Sequence, residues 1–384
     1  MRPRVVHVIT GLNTGGAQSM LTELASRPEA TGYDALVVCL TDDGPAGERL
    51  RELGVEVVDL GMARGIPSPV AVWRLARLLR RERAAAVQTW LYHGDLIGGL
   101  AGRLARVPVA WGIRHSTLDP AVDRRSTLLV ARACGLVGRW VPRTIICNAA
   151  SAIPIHAALG YPPGKMIVIP NGFDVAAFRS DLEARADIRR ELGLAEGTPL
   201  AGMLARYHAQ KDLPMFARMA AALTARNPDV HLLLAGGDMA ADNAELTGLL
   251  DDAGVPRGRV HLLGRRADAG RVQAALDVAC LTSRAGEAFP RVLGEAMACG
   301  VPCVATDIGD CAMIVGETGT IVAPGDAEGF AAAVDALLLE DAPARAARSS
   351  ACRARVVADF EVEAVAARFG DAWQRIARGE RACA

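Results

Sequence analysis

The sequence has few aromatic residues and lacks the patterns of a disulfide-rich or zinc-binding protein. Aromatic residues make up 4% of the 384 residues, and the 9 cysteines are scattered with no C-x-x-C pair. An odd number of scattered cysteines argues against a disulfide framework and a zinc site, and it favours a reducing cytosol. No stretch of about 18 uncharged apolar residues occurs, so we expect no membrane-spanning helix.

The residues that are present are typical of a globular chain with two domains. Apolar residues make up 51% and charged residues 22%, which excludes a disordered chain, and the length exceeds that of one ordinary domain. Basic and acidic residues number 43 each, but residues 1–175 hold 20 basic and 14 acidic ones, and the remainder holds 23 and 29. We therefore expect the N-terminal half to face an anionic partner.

Short apolar runs alternate with helical patterns along the chain, which predicts βαβ units with parallel sheets. Seven candidate strands precede the segment Ile169-Pro-Asn-Gly-Phe-Asp174, and six follow it. This segment has the composition of a turn, and it divides two doubly wound sheets. We expect an N-terminal domain over residues 1–173, a C-terminal domain over 174–359 and a last helical segment over 360–384, with its helix over 360–377.

The most informative stretch contains Glu287 and Glu295, which are eight positions apart. Pro290 has the backbone angle suited to the first helical position, so the pattern predicts a helix over about 290–298 and a buried strand over 301–306. Glu287 then lies on the loop before the helix, and Glu295 lies on the second turn.

The start of this helix is the expected anion site. The N–H groups of Arg291 and Val292 have no partner within the helix and point outwards, where an anion is favoured. Two carboxylates beside such a site are suited to hold hydroxyl-bearing groups on both sides of a diphosphate. A nucleotide-sugar has this arrangement.

This stretch closely resembles the E-x7-E signature of the retaining GT-B glycosyltransferases, and of family 4 in particular. In that family the first glutamate holds the hydroxyls of the transferred sugar and the second holds the nucleotide ribose, so the resemblance implies these roles for Glu287 and Glu295. It also implies the α/β GT-B fold, in which two Rossmann-like domains face each other across a cleft, the first for the acceptor and the second for the donor. The terminal helix then crosses back to the first domain. We include Phe289, Arg291 and Val292 in the expected donor site.

Arg206 and Lys211 follow the first predicted strand of the second domain. Cations at the carboxyl end of a parallel strand face the crevice where such folds bind ligands, and they can stabilise a departing diphosphate. The pair resembles the R-x4-K pair of family 4. Arg265 follows another predicted strand, at the place where the family binds the nucleotide base.

Gly15 and Gly16 follow the first strand and precede a helix. Glycine allows close approach of the backbone to a phosphate or sugar oxygen, and a tight turn without a ligand is the alternative. The segment resembles the first loop of family 4, so we place both glycines in the donor site. It is not a G-x-G-x-x-G fingerprint, which argues against a dehydrogenase.

His115 ends a predicted strand and resembles the histidine that contacts the sugar near the reacting carbon in many family 4 enzymes. A structural histidine is the alternative, and His93 is the rival candidate. We expect His93 to shape an acceptor pocket with Asp95, and Arg114 to bind an anionic acceptor or the phosphate.

A basic helical pattern covers residues 72–86. Its leucines are Leu75, Leu78 and Leu79, and its arginines are Arg74, Arg77, Arg80, Arg81 and Arg83. Such a helix can contact an anionic membrane through its charges and shallow burial of its leucines. The alternative is a helix that faces the core and exposes its arginines.

The resemblance implies a retaining glycosyltransferase that moves a sugar from a nucleotide-diphosphate sugar to an acceptor hydroxyl, in bacterial surface polysaccharide or glycolipid synthesis. Its expected catalytic residues are His115, Arg206, Lys211 and Glu287. No Asp-x-Asp pair is present to hold a diphosphate-bridging metal, so we expect no metal and no other cofactor. We expect no nucleic-acid partner, and a cytoplasmic location, free or at the inner face of the membrane. A GT-B nucleotide-sugar epimerase and a non-catalytic nucleotide-sugar-binding subunit are the alternatives.

Overall fold

The computed structural model describes residues 2–62, 68–116, 118 and 124–380. The chain divides into two compact units, which are described separately. The first comprises Met1–Gly172 and Val362–Ala384, and the second comprises Phe173–Glu361. Residues 381–384 of the expected terminal segment lie outside the described residues.

The first unit is a parallel sheet with helices between its strands. In chain order its elements are β1 (Arg4–Ile9), α1 (Gly16–Ala25), α2 (Pro28–Thr31), β2 (Asp34–Cys39), α3 (Pro45–Glu52), β3 (Glu56–Asp59), α4 (Pro69–Arg81), β4 (Ala86–Trp90), α5 (Leu91–Ala105), β5 (Val109–Ile113), α6 (Arg125–Val137), β6 (Thr144–Cys147), α7 (Ala152–Ala158) and β7 (Met166–Val168). The strand order within the described residues is β3-β2-β1-β4-β5-β6-β7. The central strands are almost wholly buried, as expected of a parallel sheet covered on both faces.

The second unit repeats this plan. In chain order its elements are α8 (Leu182–Glu191), β8 (Leu200–Leu204), α9 (Leu213–Arg226), β9 (His231–Ala235), α10 (Ala244–Asp252), β10 (Val260–Leu262), α11 (Ala269–Ala275), β11 (Val278–Leu281), α12 (Arg291–Ala298), β12 (Cys303–Thr306), α13 (Cys311–Val315), β13 (Thr320–Val322), α14 (Ala327–Leu338) and α15 (Ala342–Phe360). Across both units, the described residues also contain four short 3-10 turns, at Pro163–Lys165, Ala209–Lys211, Arg257–Arg259 and Gly316–Thr318. The strand order in the described part of this unit is β10-β9-β8-β11-β12-β13.

The last helix, α16 (Val362–Ala377), belongs to the first unit. Its apolar face lies in the same core cluster as β1 and α1, with Phe369 and Trp373 fully buried. The indole N–H of Trp373 donates to Gln88 Oε1 on β4 at 2.9 Å. Arg27 and Glu363 form an ion pair at 2.9 Å, so polar contacts also hold the helix to this unit.

The α/β fold class with two Rossmann-like units is that expected, but some predicted boundaries are wrong by one to five residues. The basic helix expected over 72–86 spans Pro69–Arg81. Pro290 precedes α12 with an extended ψ of 113° instead of occupying the first helical position. The strand expected over 301–306 begins at Cys303. The helix expected from residue 360 begins at Val362, because Phe360 ends α15.

None of the helices in the described residues combines the length and apolar character needed to cross a bilayer.

Candidate functional site

The loops that carry the expected donor residues lie at one edge of the second sheet. Strands β8, β11 and β12 are neighbours and parallel, so their carboxyl ends meet at the same edge. The loop after β8 carries Arg206 and Lys211, and the loop after β11 carries Glu287. Ligands bind at this edge in open α/β sheets.

Lys211 and Glu287 form an ion pair that connects the loop after β8 with the loop after β11 at this edge. Lys211 Nζ donates to Glu287 Oε1 at 2.5 Å, and the side chains are 15% and 13% exposed. Ser283 Oγ donates to the same carboxylate oxygen at 2.7 Å. A carboxylate that accepts both a charged and a neutral donor has a fixed orientation, which is what a group that binds sugar hydroxyls requires.

Backbone contacts hold the two loops together. Thr282 Oγ1 donates to the Lys211 carbonyl at 2.8 Å, and the Arg284 N–H donates to the Gln210 carbonyl at 2.9 Å. Gly309, with φ 61°, lies against the loop, and a Cβ atom there would be 2.1 Å from the Glu287 carbonyl oxygen. Only glycine fits this close approach and this backbone angle.

The start of α12 lies next to the Glu287 loop and carries no side-chain cap. Its first N–H groups, at Arg291 and Val292, therefore belong to the turn where a helix favours an anion. Arg291 Nε donates to Glu295 Oε1 at 3.1 Å, one turn along the same helix. The Phe289 side chain does not face a ligand as expected, because its ring is 4% exposed and packs against Phe173 and Phe360.

Arg206 and Arg265 lie on either side of Gly237, in the loop after β9. A Cβ atom at Gly237 would be 3.5 Å from Arg265 Nη2 and 3.8 Å from Arg206 Cβ. Both arginines are exposed. The pKa of His208 is lowered, first by partial burial and second by the positive charges of Arg206 and Lys211. The cationic side of this edge thus extends from Lys211 to the ends of β8 and β10.

In the first unit, Gly15, His93 and His115 follow the neighbouring strands β1, β4 and β5. Gly15 immediately precedes α1, which begins at Gly16, one residue earlier than predicted. A Cβ atom at Gly15 would lie 2.6 Å from Gln18 Oε1, so the glutamine side chain lies against this glycine. The three residues mark the ligand-binding edge of this sheet.

His115 is an exposed side chain that stacks on a buried polar pair. Its ring and that of Tyr92 are 5.9 Å apart and inclined by 23°. The Tyr92 hydroxyl is 2.8 Å from His156 Nε2, and His156 Nδ1 is 2.8 Å from the Ala152 carbonyl. Because the carbonyl can only accept, Nδ1 carries the proton and Nε2 accepts from the hydroxyl. Burial lowers the pKa of His156 to about 4, which keeps this ring neutral.

Asp95 is wholly buried, and this placement corrects its expected role in an acceptor pocket. Its Oδ1 accepts from Thr89 Oγ1 at 2.5 Å and from the Gly112 N–H at 3.2 Å. Burial raises its pKa to about 7, partly offset by these hydrogen bonds. The buried Asp95 carboxyl therefore links β4, α5 and β5 by hydrogen bonds and is not accessible to a ligand.

Arg114 is a buried cation, and two of its nitrogens lack a hydrogen-bond partner among the described residues. Its guanidinium lies 4.4 Å from the Trp90 ring centroid, and its Nη1 donates to Asn171 Oδ1 at 3.3 Å. Nε and Nη2 have no hydrogen-bond partner among the described residues. Burial lowers the pKa of Arg114 to about 10. A guanidinium in this state fits an anionic group.

The sequence predictions did not include Ser283, His208, Tyr92 or His156. Ser283 had one usable signal, since it follows β11 and precedes Glu287 by four residues. Tyr92 and His156 are 64 positions apart, and no local pattern indicates their contact. Among the described residues, no group of three or more His, Cys, Asp or Glu side chains is arranged to hold a metal ion.

The leucines of the basic helix, which is α4, face the core. Leu75 and Leu79 have no exposed surface, and Leu78 is 9% exposed. These leucines therefore face the core while the arginines of the helix are exposed, and membrane contact through those arginines stays a prediction.

Comparison with known proteins shows that the chain is similar to sugar-transferring enzymes. Residues 198–340 match the family model described as "Glycosyl transferases group 1", and residues 14–177 match "Glycosyltransferase Family 4". The GDP-mannose-dependent alpha-(1-6)-phosphatidylinositol monomannoside mannosyltransferase of Mycolicibacterium smegmatis is 32% identical over 316 residues, which cover 78% of each chain. The phosphatidyl-myo-inositol mannosyltransferase of the same organism is 29% identical over 348 residues, which cover 85% of this chain and 82% of the relative. The solved structure of Anabaena HepE in complex with UDP has a TM-score of 0.82 at 23% identity, covering 97% of this chain and 99% of that one, a likeness of fold.

Proposed function

The chain belongs to glycosyltransferase family 4, and from this premise we propose that it transfers a sugar from a nucleoside-diphosphate sugar to an acceptor hydroxyl with retention of configuration and without a metal. The observation that supports this most is the Lys211–Glu287 pair with Ser283, beside the start of α12. Cation, carboxylate and helix start are the three groups that a sugar diphosphate needs close together.

In the proposed donor site, Lys211, Arg206 and the N–H groups at the start of α12 bind the diphosphate. Glu287 accepts from hydroxyls of the sugar, and Glu295 accepts from the ribose. Glycine at positions 15 and 16 gives close backbone approach, and Arg265 contacts the base. The carbon–oxygen bond to the diphosphate breaks with its electron pair passing to the phosphate oxygen, where the cationic groups stabilise the charge.

Retention in this proposal follows from attack on the same face as the departing diphosphate. The acceptor oxygen forms the new bond to the sugar carbon and transfers its proton to the leaving phosphate oxygen. His115 contacts the sugar near that carbon, and the stack on Tyr92 keeps its ring in place. Arg114 and His93 bind the acceptor, with Arg114 taking an anionic group.

We propose a glycan or glycolipid acceptor in bacterial surface polysaccharide or glycolipid synthesis. The relatives that support this class act, by their names, on phosphatidylinositol compounds. A cytoplasmic enzyme with peripheral contact to an anionic membrane fits such an acceptor. The exposed arginines of α4 contribute charge to this contact, and its buried leucines do not take part.

A thermal-shift screen tests the donor assignment directly, because a ligand that binds the native state raises the melting temperature. We expect UDP, GDP or one of their sugars to raise the melting temperature, and the matching donor to release nucleotide slowly by hydrolysis. NMR of the transferred sugar then gives the configuration, and a chelator added to the assay tests independence from metal. The proposal is wrong if no nucleotide or nucleotide-sugar stabilises the protein.

A further inference from the structure

An exposed stripe of arginine and leucine runs along α6 and ends in Trp140. Arg125, Leu129, Arg132 and Leu136 follow one another at steps of three or four residues, which places them on one face of α6, and Trp140 lies in the turn just after the helix ends at Val137. Leu129 is 64% exposed, Leu136 74% and Trp140 69%. Single exposed leucines need no explanation, but large apolar side chains gathered on one face indicate an interaction surface.

The neighbouring helices continue this surface. Helix α5 packs between α4 and α6, and it exposes Leu100 and Leu104. Helix α4 exposes Val70 and Trp73, which are 64% and 53% accessible. Arg80 on α4 donates to the Leu104 carbonyl at the end of α5, which joins the two helices. We refer to the outer side of these three helices as the basic–apolar face.

The charge of this region is strongly one-sided. Residues 69–173 hold 14 basic and 4 acidic residues, and residues 124–173 hold no acidic residue. Of the four acidic residues, Asp95 is buried and Glu82 forms an ion pair with Arg4, while residues 119 and 123 lie outside the described part of the chain. Among the described residues of this face, positive charge therefore predominates around the leucines and tryptophans.

A groove beside Trp140 extends this charge. Its volume is about 790 Å³, and its lining includes Arg103, Arg106, Arg139 and Arg143. None of these four arginines forms an ion pair with a carboxylate in the described residues. The groove opens near the amino ends of β5 and β6, at the opposite edge of the sheet from His115.

We propose that the basic–apolar face docks onto an anionic lipid bilayer, with Leu129, Leu136 and Trp140 entering the boundary between headgroups and acyl chains. Arginines lie among lipid phosphates, their aliphatic stems along the apolar zone, and tryptophan prefers this interface. This deepens the membrane contact of the proposed function, because it assigns the apolar insertion to α6 instead of α4. A second copy of the chain is a poor occupant, since two such faces would bring like charges together.

Co-sedimentation with vesicles tests the proposal. The full-length protein is mixed with vesicles of equal parts phosphatidylglycerol and phosphatidylcholine, or of phosphatidylcholine alone. The test variant carries Leu129→Ser and Leu136→Ser. The matched control carries Leu182→Ser and Leu339→Ser, which replace leucines of the second unit that are 77% and 70% exposed. Because all four leucines are exposed, we expect both variants to fold, and the thermal midpoint of each checks this.

We expect the wild type and the control variant to bind anionic vesicles at low salt and to bind less as salt rises. The α6 variant should bind at least about tenfold more weakly, because each buried CH₂ contributes to partitioning. Equal binding of the two variants, or no binding of the wild type at low salt, would overturn the proposal. So would a wild-type dimer that the α6 variant converts to a monomer, since the face would then bind a second copy.

The melting-temperature shift with donor separates this proposal from the proposed function. The proposed donor site contains no residue of α6, so the α6 variant should show the same shift as the wild type. If the α6 variant loses vesicle binding but keeps the melting-temperature shift with donor, the substitutions affect the membrane surface alone. If the wild type binds vesicles but no donor raises its melting temperature, the membrane surface is supported and the proposed transferase site is contradicted.

Discussion

Replacing Lys211 with methionine removes the charge from the Lys211–Glu287 pair and keeps a side chain of similar length. The pair is largely buried, with 15% and 13% of the side chains exposed, so its loss falls between that of an exposed pair and a fully buried one, at about 2 kcal/mol. The second unit spans Phe173–Glu361. For a domain of this size, the loss lowers the melting temperature by about 4–8 °C.

The same substitution should slow turnover more than it weakens donor binding. In the proposed mechanism the Lys211 charge stabilises the departing diphosphate, an interaction that is strongest in the transition state. Removing one such group costs about 2–4 kcal/mol, which corresponds to a fall in kcat of about 30-fold to 1000-fold. Initial rates at saturating and limiting donor measure kcat and kcat/KM separately. Lys211→Arg keeps the charge and serves as the matched control.

A double-mutant cycle with Glu287→Gln separates stability from catalysis. The Lys211→Met variant leaves a carboxylate without its cation, whereas the double variant has a neutral amide in that place. We therefore expect the double variant to recover part of the melting temperature while its kcat stays low. The reasoning fails if Lys211→Met keeps kcat within about twofold of the wild type. It also fails if the losses of melting temperature simply add.

Three further predictions follow from single sites. Glu295→Ala should raise the KM for the donor more than it lowers kcat, because the proposed ribose contact is made before and during the reaction; an unchanged KM would contradict the assignment. Gly309→Ala should lower both kcat/KM and stability, because its Cβ would displace the Glu287 carbonyl. Gly325 also has a positive φ, of 85°, but has open space around it, so Gly325→Ala should lower stability alone. Activity assays and thermal midpoints of both glycine variants decide this. Since burial raises the pKa of Asp95 from 3.8 to about 7, the wild type should lose unfolding free energy relative to Asp95→Asn as pH rises through that window, and then level off. Urea unfolding at several pH values measures the difference, which would stay constant if the carboxyl did not titrate there.

Local patterns in the sequence were sufficient to predict both sheets and the family. Parallel strands read as short apolar runs, because both faces of such a sheet are covered, and the thirteen runs correspond to β1–β13. The spacing of Glu287 and Glu295 is also local, because both lie within one loop and the helix that follows it. The two-residue delay at the start of α16 was not predictable, since Phe173 pairs with Glu361 across the chain.

Burial was the property that sequence patterns judged least well. Asp95 and Phe289 were expected at ligand sites, yet both side chains are buried in the interior. Leu75 and Leu79 of α4 are buried, whereas Leu129 and Leu136 of α6 are exposed. Which side of a helix meets the sheet depends on packing between elements distant in sequence.

The order of residues along the chain was enough to predict two α/β units, the family and the positions of the acidic pair and the basic pair. Each of these predictions rests on a pattern within a few residues. Folding in three dimensions set the Lys211–Glu287 contact, made across 76 positions, and the Tyr92–His156 support beneath His115. It also set which apolar side chains stay in solvent on α6. Such features arise from contacts between distant segments, and their energies depend on burial that no local pattern records.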